Sequence, residues 1–310
     1  MNFPVFDLHC DTAYEMVRQG KNLLSNDLHI DLTRGSVFSG YAQCFACFST
    51  SGYDWMPDPE GLFRRETDNI KRQIAENQDT IRIATNAKQI RENQEAGLIS
   101  AILTAEGSAG IDFDITKLED LKQEGFVMIS PCWNEQNILT GSHITGGGLT
   151  EQGRAFIRKA QELGFIIDVS HISDQAFWDI MDMTTMPIVA THSDSRAICN
   201  HSRNITDEMF RMICQVDGVA GINLYTQFLG GKSLDAVCDH IFHYLSLDPD
   251  GTHIALGGDL DGCDSIPNEI QGVQDYPKLG QRLMERGLSE TTVHNIFWNN
   301  ALGVIERCCT

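Results

Sequence analysis

The segment DLHCD, residues 7–11, combines residue types that bind metal ions. His9 and Asp11 are two positions apart, so their side chains would point to the same face of an extended strand, and Asp7 shares that parity. Imidazole and carboxylate ligands favour zinc, manganese or iron over copper(I) or an iron–sulfur cluster. A strand that ends in a buried histidine and a helix-capping aspartate would give the same pattern, so the pair alone does not define a metal site.

Residues of the same kinds end other apolar segments further along the chain. Glu106 follows AILTA, His171 ends IIDVSH and His192 ends PIVATH. One such histidine is more often a core residue than a ligand, but two at the ends of successive segments indicate a metal site. A carboxylate such as Glu106 can bridge two cations, as in two-metal hydrolytic sites. With the first pair they make three histidines and two carboxylates, enough for a binuclear site with open positions for water.

The segment GGDLDG, residues 257–262, places a further carboxylate after an apolar run. The remaining positions of a calcium-binding EF-hand loop are absent. Asp259 is therefore better interpreted as the proton-transferring carboxylate of a metal hydrolase.

Other short motifs indicate no separate chemistry. The glycines at 146–148 lack the context of a phosphate-binding loop and predict a mobile loop. Cys44 and Cys47 form a CxxC without the second half of a zinc-binding pair, and we expect them in a buried strand. No GxSxG nucleophile motif is present.

Eight short apolar segments must position the candidate side chains. Continuous apolar runs predict strands covered on both faces, as in a parallel sheet. Helix-like segments at 60–78, 150–164 and 207–218 lie between them; the last two end in glycine, and Thr150 and Ser173 are plausible helix starts. The predicted strands are residues 3–9, 41–48, 100–106, 125–130, 164–171, 187–192, 218–225 and 253–259.

This alternation predicts one α/β domain over residues 1–310, a (β/α)8 TIM barrel, with a doubly wound open sheet as the alternative. In a barrel the carboxyl ends of all strands meet at one mouth, so candidate residues far apart in sequence would come together.

Composition narrows the class of protein. The chain has 310 residues, of which 42% are hydrophobic, and its formal net charge is −20. That charge argues against nucleic acid or an anionic membrane as the main partner. The first residues lack a secretion signal, no segment is long enough to span a bilayer, and the ten cysteines have no disulfide-framework spacing. We therefore expect a soluble, cytoplasmic protein with reduced thiols.

The sequence resembles the membrane dipeptidase (renal dipeptidase) family of zinc peptidases, in particular its bacterial branch. The resemblance implies a barrel of the metal-dependent amidohydrolase type with two zinc ions per chain. It extends nearly end to end, through FDLHCDT, AEG, WNEQN, GLTEQGRAFIRKAQELGFIIDVSHIS, PIVATHSDSRAICNHSRNITDE, GINLY and GGDLDG.

The motifs imply a role for each candidate metal ligand. His9 and Asp11 correspond to ligands of one zinc ion, and His171 and His192 to ligands of the other. Glu106 corresponds to the bridge between the two ions.

The resemblance also implies residues that act on the substrate. Asp259 corresponds to the catalytic acid/base, and Arg203 of HSRNITD to the arginine that holds the terminal carboxylate of the substrate. Tyr225 of GINLY and Asn134 of WNEQN are expected to bind substrate. Some members have a histidine, thought to polarise the scissile carbonyl, where this chain has Pro131, so no residue here inherits that role.

These implications predict a zinc-dependent dipeptidase that forms a homodimer, with L-D dipeptides as possible substrates. One alternative is a hydrolase of the same scaffold acting on a cyclic amide, lactone or phosphoester, which a lysine in place of Glu106 would favour. A second is a non-catalytic relative, which the loss of a ligand position would favour. The sequence has neither change.

Overall fold

The barrel is built from short parallel strands, in a computed structural model that describes residues 3–309. The strands are β1 Val5–Cys10, β2 Tyr41–Phe48, β3 Ile81–Ile83, β4 Ile99–Glu106, β5 Phe126–Ile129, β6 Ile166–Asp168, β7 Ile188–Ala190, β8 Val219–Ile222 and β9 Ile254–Leu256.

Eight of these strands close on themselves. The pairing runs β1-β2-β4-β5-β6-β7-β8-β9 and returns to β1, with every pair parallel. The eight are the strands predicted from the sequence, and the closure of β9 onto β1 confirms the barrel over the open sheet. Strand β3 was not predicted: its three residues pair only with the start of β4 and form no apolar run.

The strands end earlier than the apolar patterns suggest. The sequence patterns extended β6 to His171 and β9 to Asp259, but pairing stops at Asp168 and Leu256. His171 and Asp259 have positive φ angles of 73° and 54°, a conformation that cannot continue a strand. The chain therefore turns sharply at the positions where the candidate side chains lie.

Helices surround the barrel and connect its strands. They are α1 Thr12–Gln19, α2 Leu32–Gly35, α3 Pro59–Glu76, α4 Ala87–Glu95, α5 Leu118–Gln123, α6 Glu151–Glu162, α7 Asp174–Met181, α8 Asp207–Gln215, α9 Thr226–Leu229, α10 Leu234–Leu247, α11 Tyr276–Glu285, α12 Glu290–His294 and α13 Asn300–Cys308. A π-helical turn, Asn295–Asn299, joins the last two.

The predicted helix starts are confirmed by capping hydrogen bonds. Thr150 Oγ1 accepts from Gly153 N at 3.0 Å, and Ser173 Oγ accepts from Ala176 N at 3.0 Å. Gly164 follows α6 with φ 75°, as a C-terminal glycine does. After α8 the left-handed residue is Asp217 instead of the glycine, with φ 55°.

The core includes the cysteine pair of the CxxC motif. Cys44 and Cys47 are completely buried in β2, as predicted. Within residues 3–309 none of the ten cysteines forms a disulfide. In the same range, no helix combines the length and apolar character that crossing a bilayer requires.

Candidate functional site

The six residues singled out as metal ligands and proton carrier come together at one mouth of the barrel. Each lies at or just after the carboxyl end of a barrel strand, and each is at least nine-tenths buried. They are His9, Asp11, Glu106, His171, His192 and Asp259. The barrel thus unites residues separated by up to 250 positions, as the predicted topology required.

Glu106 lies at the centre of this group, and its two carboxylate oxygens face different histidines. Its Oε2 atom is 3.5 Å from His9 Nε2. Its Oε1 atom is 2.9 Å from His171 Nε2 and 3.6 Å from His192 Nε2. One carboxylate therefore contacts two separate sets of candidate ligand atoms.

The set around Glu106 Oε2 contains two more carboxylates. His9 Nε2 lies 3.4 Å from Asp11 Oδ2 and 4.0 Å from Asp259 Oδ1. The same nitrogen is buried and has no hydrogen-bond partner among the described residues. A buried polar atom without a partner is costly, and a bound cation would remove that cost.

The set around Glu106 Oε1 contains two imidazoles. In each ring a hydrogen bond at Nδ1, on the side away from Glu106, fixes the tautomer. His171 Nδ1 is 2.8 Å from Asn134 Oδ1, an atom that can only accept, so Nδ1 carries the proton. His192 Nδ1 is 2.7 Å from Thr191 Oγ1, whose own hydrogen is donated to Asp168 Oδ2 at 2.6 Å.

The opposite nitrogens of these two rings are consequently acceptors. His171 Nε2 and His192 Nε2 lie 3.1 Å apart, and no proton is available to form a hydrogen bond between them. Together with Glu106 Oε1 they present three electron pairs to one small space. This donor set of imidazole and carboxylate suits a divalent metal such as zinc.

Burial and neighbouring charges shift the pKa values of two carboxylates and of His9, and these shifts favour the binding of a cation. Burial raises the pKa of Asp11, and the Glu106 charge raises it further. Burial and the Asp11 charge raise the pKa of Asp259. Burial lowers the pKa of His9, but the charges of Glu106 and Asp11 outweigh burial and leave it well above its usual value. The carboxylates therefore repel one another until positive charge lies between them.

The other two histidines remain neutral. Burial lowers the pKa of both His171 and His192 well below the usual value, and the charge of Arg203 adds to the effect on each. A neutral imidazole is the form that binds a metal ion.

The segment after β9 approaches the carboxylates very closely. A Cβ atom on Gly262 would lie 2.0 Å from Asp11 Oδ2 and 2.3 Å from Asp259 Oδ1. A larger residue at this position would displace the two carboxylates, and Gly262 itself lines the mouth of the site.

Asp7 shares the strand face of His9, as predicted, but it is a support for the site. Its Oδ1 atom accepts from His9 N and Gly258 N, both at 3.0 Å, and its Oδ2 atom accepts from the hydroxyl of Tyr276. These contacts join the ends of β1 and β9 beneath the ligands.

Two further supporting residues were not identified from the sequence. Asn223 Nδ2 donates to Asp259 Oδ2 at 3.0 Å and so orients that carboxylate. Asp168 fixes Thr191, which in turn fixes His192. Both residues lie within predicted strands. Their partners belong to other predicted strands, so the sequence pattern could not reveal these contacts.

A cavity of about 260 Å³ opens above the ligands. Asn134 and Tyr225, two of the three predicted substrate-binding residues, line it. Asp264 bonds the Tyr225 hydroxyl, and burial with this contact raises the pKa of Tyr225 to about 12. Much of the remaining wall is aromatic: Tyr14, Phe48, Trp55, Trp133 and Phe228.

Arg203 is 3% exposed and is not itself among the lining residues; its guanidinium carbon lies 5.8 Å from the ring centre of Phe228, which lines the cavity. Its Nη1 atom donates to Ser193 Oγ at 2.9 Å, whereas Nε and Nη2 have no partner in the described part of the chain. Burial lowers the pKa of Arg203, although Asp259 and other nearby carboxylates act in the opposite direction. A buried guanidinium with two free donors is suited to an anionic ligand.

Pro131 has no N–H group to donate to a substrate, and His143, in the following loop, contacts Asn134 of the cavity wall. His143 Nε2 is 2.9 Å from Asn134 Oδ1, and Nδ1 is 2.9 Å from Ser202 Oγ. Burial, with the Arg203 charge, lowers the pKa of His143 to about 3, so it is neutral at physiological pH.

Comparison with known proteins identifies the family of this chain. The model of the family described as membrane dipeptidase, peptidase family M19, matches residues 1–309. A protein of the pqqA 5′ region of Klebsiella pneumoniae is 31% identical over 265 residues, 81% of this chain and 97% of that protein. An uncharacterised dipeptidase of Schizosaccharomyces pombe is 27% identical over 328 residues, 98% of this chain and 80% of that protein.

Solved structures show the same fold. Dipeptidase AC, an M19 metallopeptidase, superposes with a TM-score of 0.91 at 25% identity and covers 100% of this chain and 99% of its own. A metallopeptidase from Rhodobacter sphaeroides gives a TM-score of 0.90 at 24% identity, covering 99% and 100%. The chain therefore belongs to the membrane dipeptidase family, peptidase family M19, and is a metal-dependent peptide hydrolase.

Proposed function

We propose that the protein is a zinc-dependent dipeptidase that binds two metal ions per chain. The observation that carries this proposal is the position of Glu106, whose two oxygens face two different sets of ligand atoms. A carboxylate placed in this way is suited to bridge two cations.

The two sets of ligands follow from the same distances. His9 and Asp11 would hold one ion with Glu106 Oε2, and His171 and His192 would hold the other with Glu106 Oε1. When bound, two such cations supply a hydroxide nucleophile near neutral pH and polarise the scissile carbonyl.

Asp259 would carry the proton. Its Oδ1 atom faces the ligand cluster, and Asn223 holds its Oδ2 atom at 3.0 Å. Its buried, negatively charged surroundings raise its pKa, which makes it a better proton acceptor than an exposed aspartate. In this role it would take the proton of the nucleophile and pass it to the departing amine.

Arg203 would select short substrates. Its unpaired Nε and Nη2 atoms offer a two-pronged site for the terminal carboxylate of a peptide. The fixed distance from this guanidinium to the ligand cluster would limit the number of residues that fit between them, which favours dipeptides.

The decisive experiment combines metal analysis with a substrate screen. Protein purified without chelator should contain about two divalent ions per chain and should hydrolyse dipeptides but not longer peptides. One ion or none would contradict the binuclear site, and turnover of lactones or phosphoesters in place of dipeptides would contradict the substrate class. The same screen, run with and without zinc, tests the identity of the metal.

The screen should include L-D dipeptides. The Rhodobacter sphaeroides metallopeptidase was solved with a phosphinate mimic of L-Ala-D-Ala. We propose that this protein also accepts a D-residue at the carboxyl-terminal position, and comparison of L-Ala-L-Ala with L-Ala-D-Ala measures this directly.

A homodimeric assembly, which derives from the family resemblance, and a cytoplasmic location, which derives from the sequence analysis, are also part of the proposal. Sedimentation of the purified protein should give about twice the 34.5 kDa mass of one chain. Fractionation of the native cells tests the compartment.

A further inference from the structure

The side chain of Asn134 is held in one orientation by two histidines. Its Oδ1 atom accepts from His171 Nδ1 at 2.8 Å and from His143 Nε2 at 2.9 Å. Rotation of the amide by 180° would place its NH2 group against the proton on His171 Nδ1. That proton stays on Nδ1 if His171 Nε2 is the atom that binds the metal ion beside Glu106, as the proposed function requires.

The partner of His143 strengthens this arrangement. Ser202 Oγ, 2.9 Å from His143 Nδ1, can donate to that nitrogen and leave the proton of His143 on Nε2. The backbone is also fixed, since Ser142 Oγ donates to Asn134 O at 2.7 Å and His143 N donates to His171 O at 2.7 Å.

The fixed oxygen leaves the amide nitrogen of Asn134 free. This Nδ2 atom has no hydrogen-bond partner within residues 3–309, and Asn134 lines the cavity together with Glu106, His171 and Asp259. A donor with one orientation, no partner and a place beside the reacting groups is preorganised to bind a negative charge that develops during the reaction.

The backbone at Pro131 cannot supply a hydrogen-bond donor for this negative charge. Pro131 has no N–H group, and its carbonyl oxygen accepts from Asn137 Nδ2 at 3.0 Å. Of the other polar groups that line the cavity, the Tyr225 hydroxyl is engaged with Asp264.

We propose, on the basis of the function proposed above, that the Asn134 amide N–H is the catalytic hydrogen-bond donor to the scissile carbonyl oxygen. As the nucleophile adds to the carbonyl carbon, the π electron pair moves to the oxygen, which accepts the Asn134 hydrogen bond. As the pair returns, the C–N bond breaks and the amine leaves with the proton carried by Asp259. Asn134 keeps its own protons throughout, and His143 acts as a positioning residue.

The variant Asn134→Asp separates this role from mere support of His171. An aspartate oxygen still accepts from His171 and His143, but the variant has no amide donor. We expect two metal ions per chain, a KM close to wild type and a kcat lower by about 10²–10³-fold. If Asn134 only orients His171, N134D should keep near-wild-type kcat while Asn134→Ala loses metal, and that result would overturn the proposal.

Two controls sharpen the test. Gln136→Glu adds the same charge to the same loop at an exposed position and should leave kcat unchanged. His143→Ala should lower kcat less than N134D does, because it removes the positioning contact but not the donor.

A phosphinate dipeptide mimic provides a readout independent of turnover. Its affinity for N134D and N134A should fall in proportion to kcat/KM if Asn134 contacts the developing oxyanion. Unchanged phosphinate affinity would overturn the proposal even with kcat reduced. A wild-type protein that holds metal but hydrolyses no dipeptide would instead overturn the proposed function, and the role of Asn134 with it.

Discussion

The Nε2 atoms of His171 and His192 lie 3.1 Å apart, although the hydrogen bonds on the far side of each ring leave both atoms without a proton. Two lone pairs at this distance repel each other. The arrangement is stable in the folded protein if a cation accepts both pairs, and the carboxylate of Glu106 lies close enough to complete such a set. The pair therefore marks where a metal ion would bind and how its ligands are oriented.

Replacement of Glu106 by glutamine should weaken both metal ions together. Each oxygen of Glu106 faces a different set of ligands, so one substitution affects both sets. We expect fewer than two ions per chain after dialysis and a lower Tm at the same zinc concentration, since a ligand of the folded state stabilises it. Loss of one ion only would contradict the bridging position.

Unlike Glu106→Gln, the variant Asp259→Asn should retain its metal ions and lose activity. If Asp259 carries the proton, the variant keeps two ions per chain and loses turnover by about 10²–10⁴-fold. The readouts are metal content and kcat on the same preparation. Asp259 Oδ1 is 4.0 Å from His9 Nε2, so a variant that loses metal would identify Asp259 as a ligand instead.

Thr191→Val tests the chain of contacts from Asp168 to His192. Valine has a similar shape but cannot accept the proton of His192 Nδ1, and it leaves Asp168 Oδ2 without its donor. Loss of such a supporting contact is expected to weaken zinc binding by about 10–100-fold, measured by competition with a chelator. Thr191→Ser keeps the hydroxyl and is the matched control. Equal affinities for the two variants would show that the hydroxyl does not orient His192.

Arg203→Ala should affect substrates according to their carboxyl terminus. The unpaired donors of Arg203 can contribute only to peptides that end in a carboxylate. We expect kcat/KM to fall by about 10²-fold or more for a free dipeptide, a loss of roughly 3 kcal/mol as for a charged hydrogen-bonding pair. A dipeptide amide should be hydrolysed poorly by wild type and nearly as poorly by the variant. Equal losses on both substrates would contradict the assignment.

The buried carboxyl group of Glu66 should make the free energy of unfolding depend on pH. It is completely buried beneath β2: its Oε2 atom accepts from Phe48 N at 2.6 Å, and its Oε1 atom has no partner in the described chain. Burial, with the nearby charges of Asp11 and Glu106, raises its pKa well above the usual value. The folded protein therefore binds this proton more tightly than the unfolded chain, so this residue destabilises the fold increasingly as the pH rises from its unfolded pKa towards its folded pKa.

Glu66→Gln should remove that effect. The variant should gain stability relative to wild type by about 1.4 kcal/mol per pH unit over the window between the two pKa values, and the difference should become independent of pH below the unfolded pKa. Urea unfolding at a series of pH values and a fixed zinc concentration measures it. Glu95→Gln, which makes the same substitution at an exposed position on α4, is the matched control. A pH-independent difference for Glu66→Gln would mean that folding does not raise the pKa of Glu66, which would contradict the prediction.

The sequence by itself determined which segments are barrel strands and which side chains gather at their ends. Apolar runs mark strands buried on both faces, and a polar residue directly after such a run must lie at the rim. This local reasoning located His9, Glu106 and His192 correctly. It missed β3, because the segment Ile81–Ile83 is too short and too polar in its flanks to form a pattern.

Only the tertiary structure decided what each polar side chain does there. Parity placed Asp7 on the face of His9, but its bond to Tyr276, 269 positions away, makes it a support beneath the ligands. Asn134 was expected to bind substrate, and its contacts with His143 and His171 determine which of its atoms is free to do so. Hydrogen bonds of this kind join segments that are distant in sequence. Their partners, and the proton positions that they fix, follow from packing and from no local pattern.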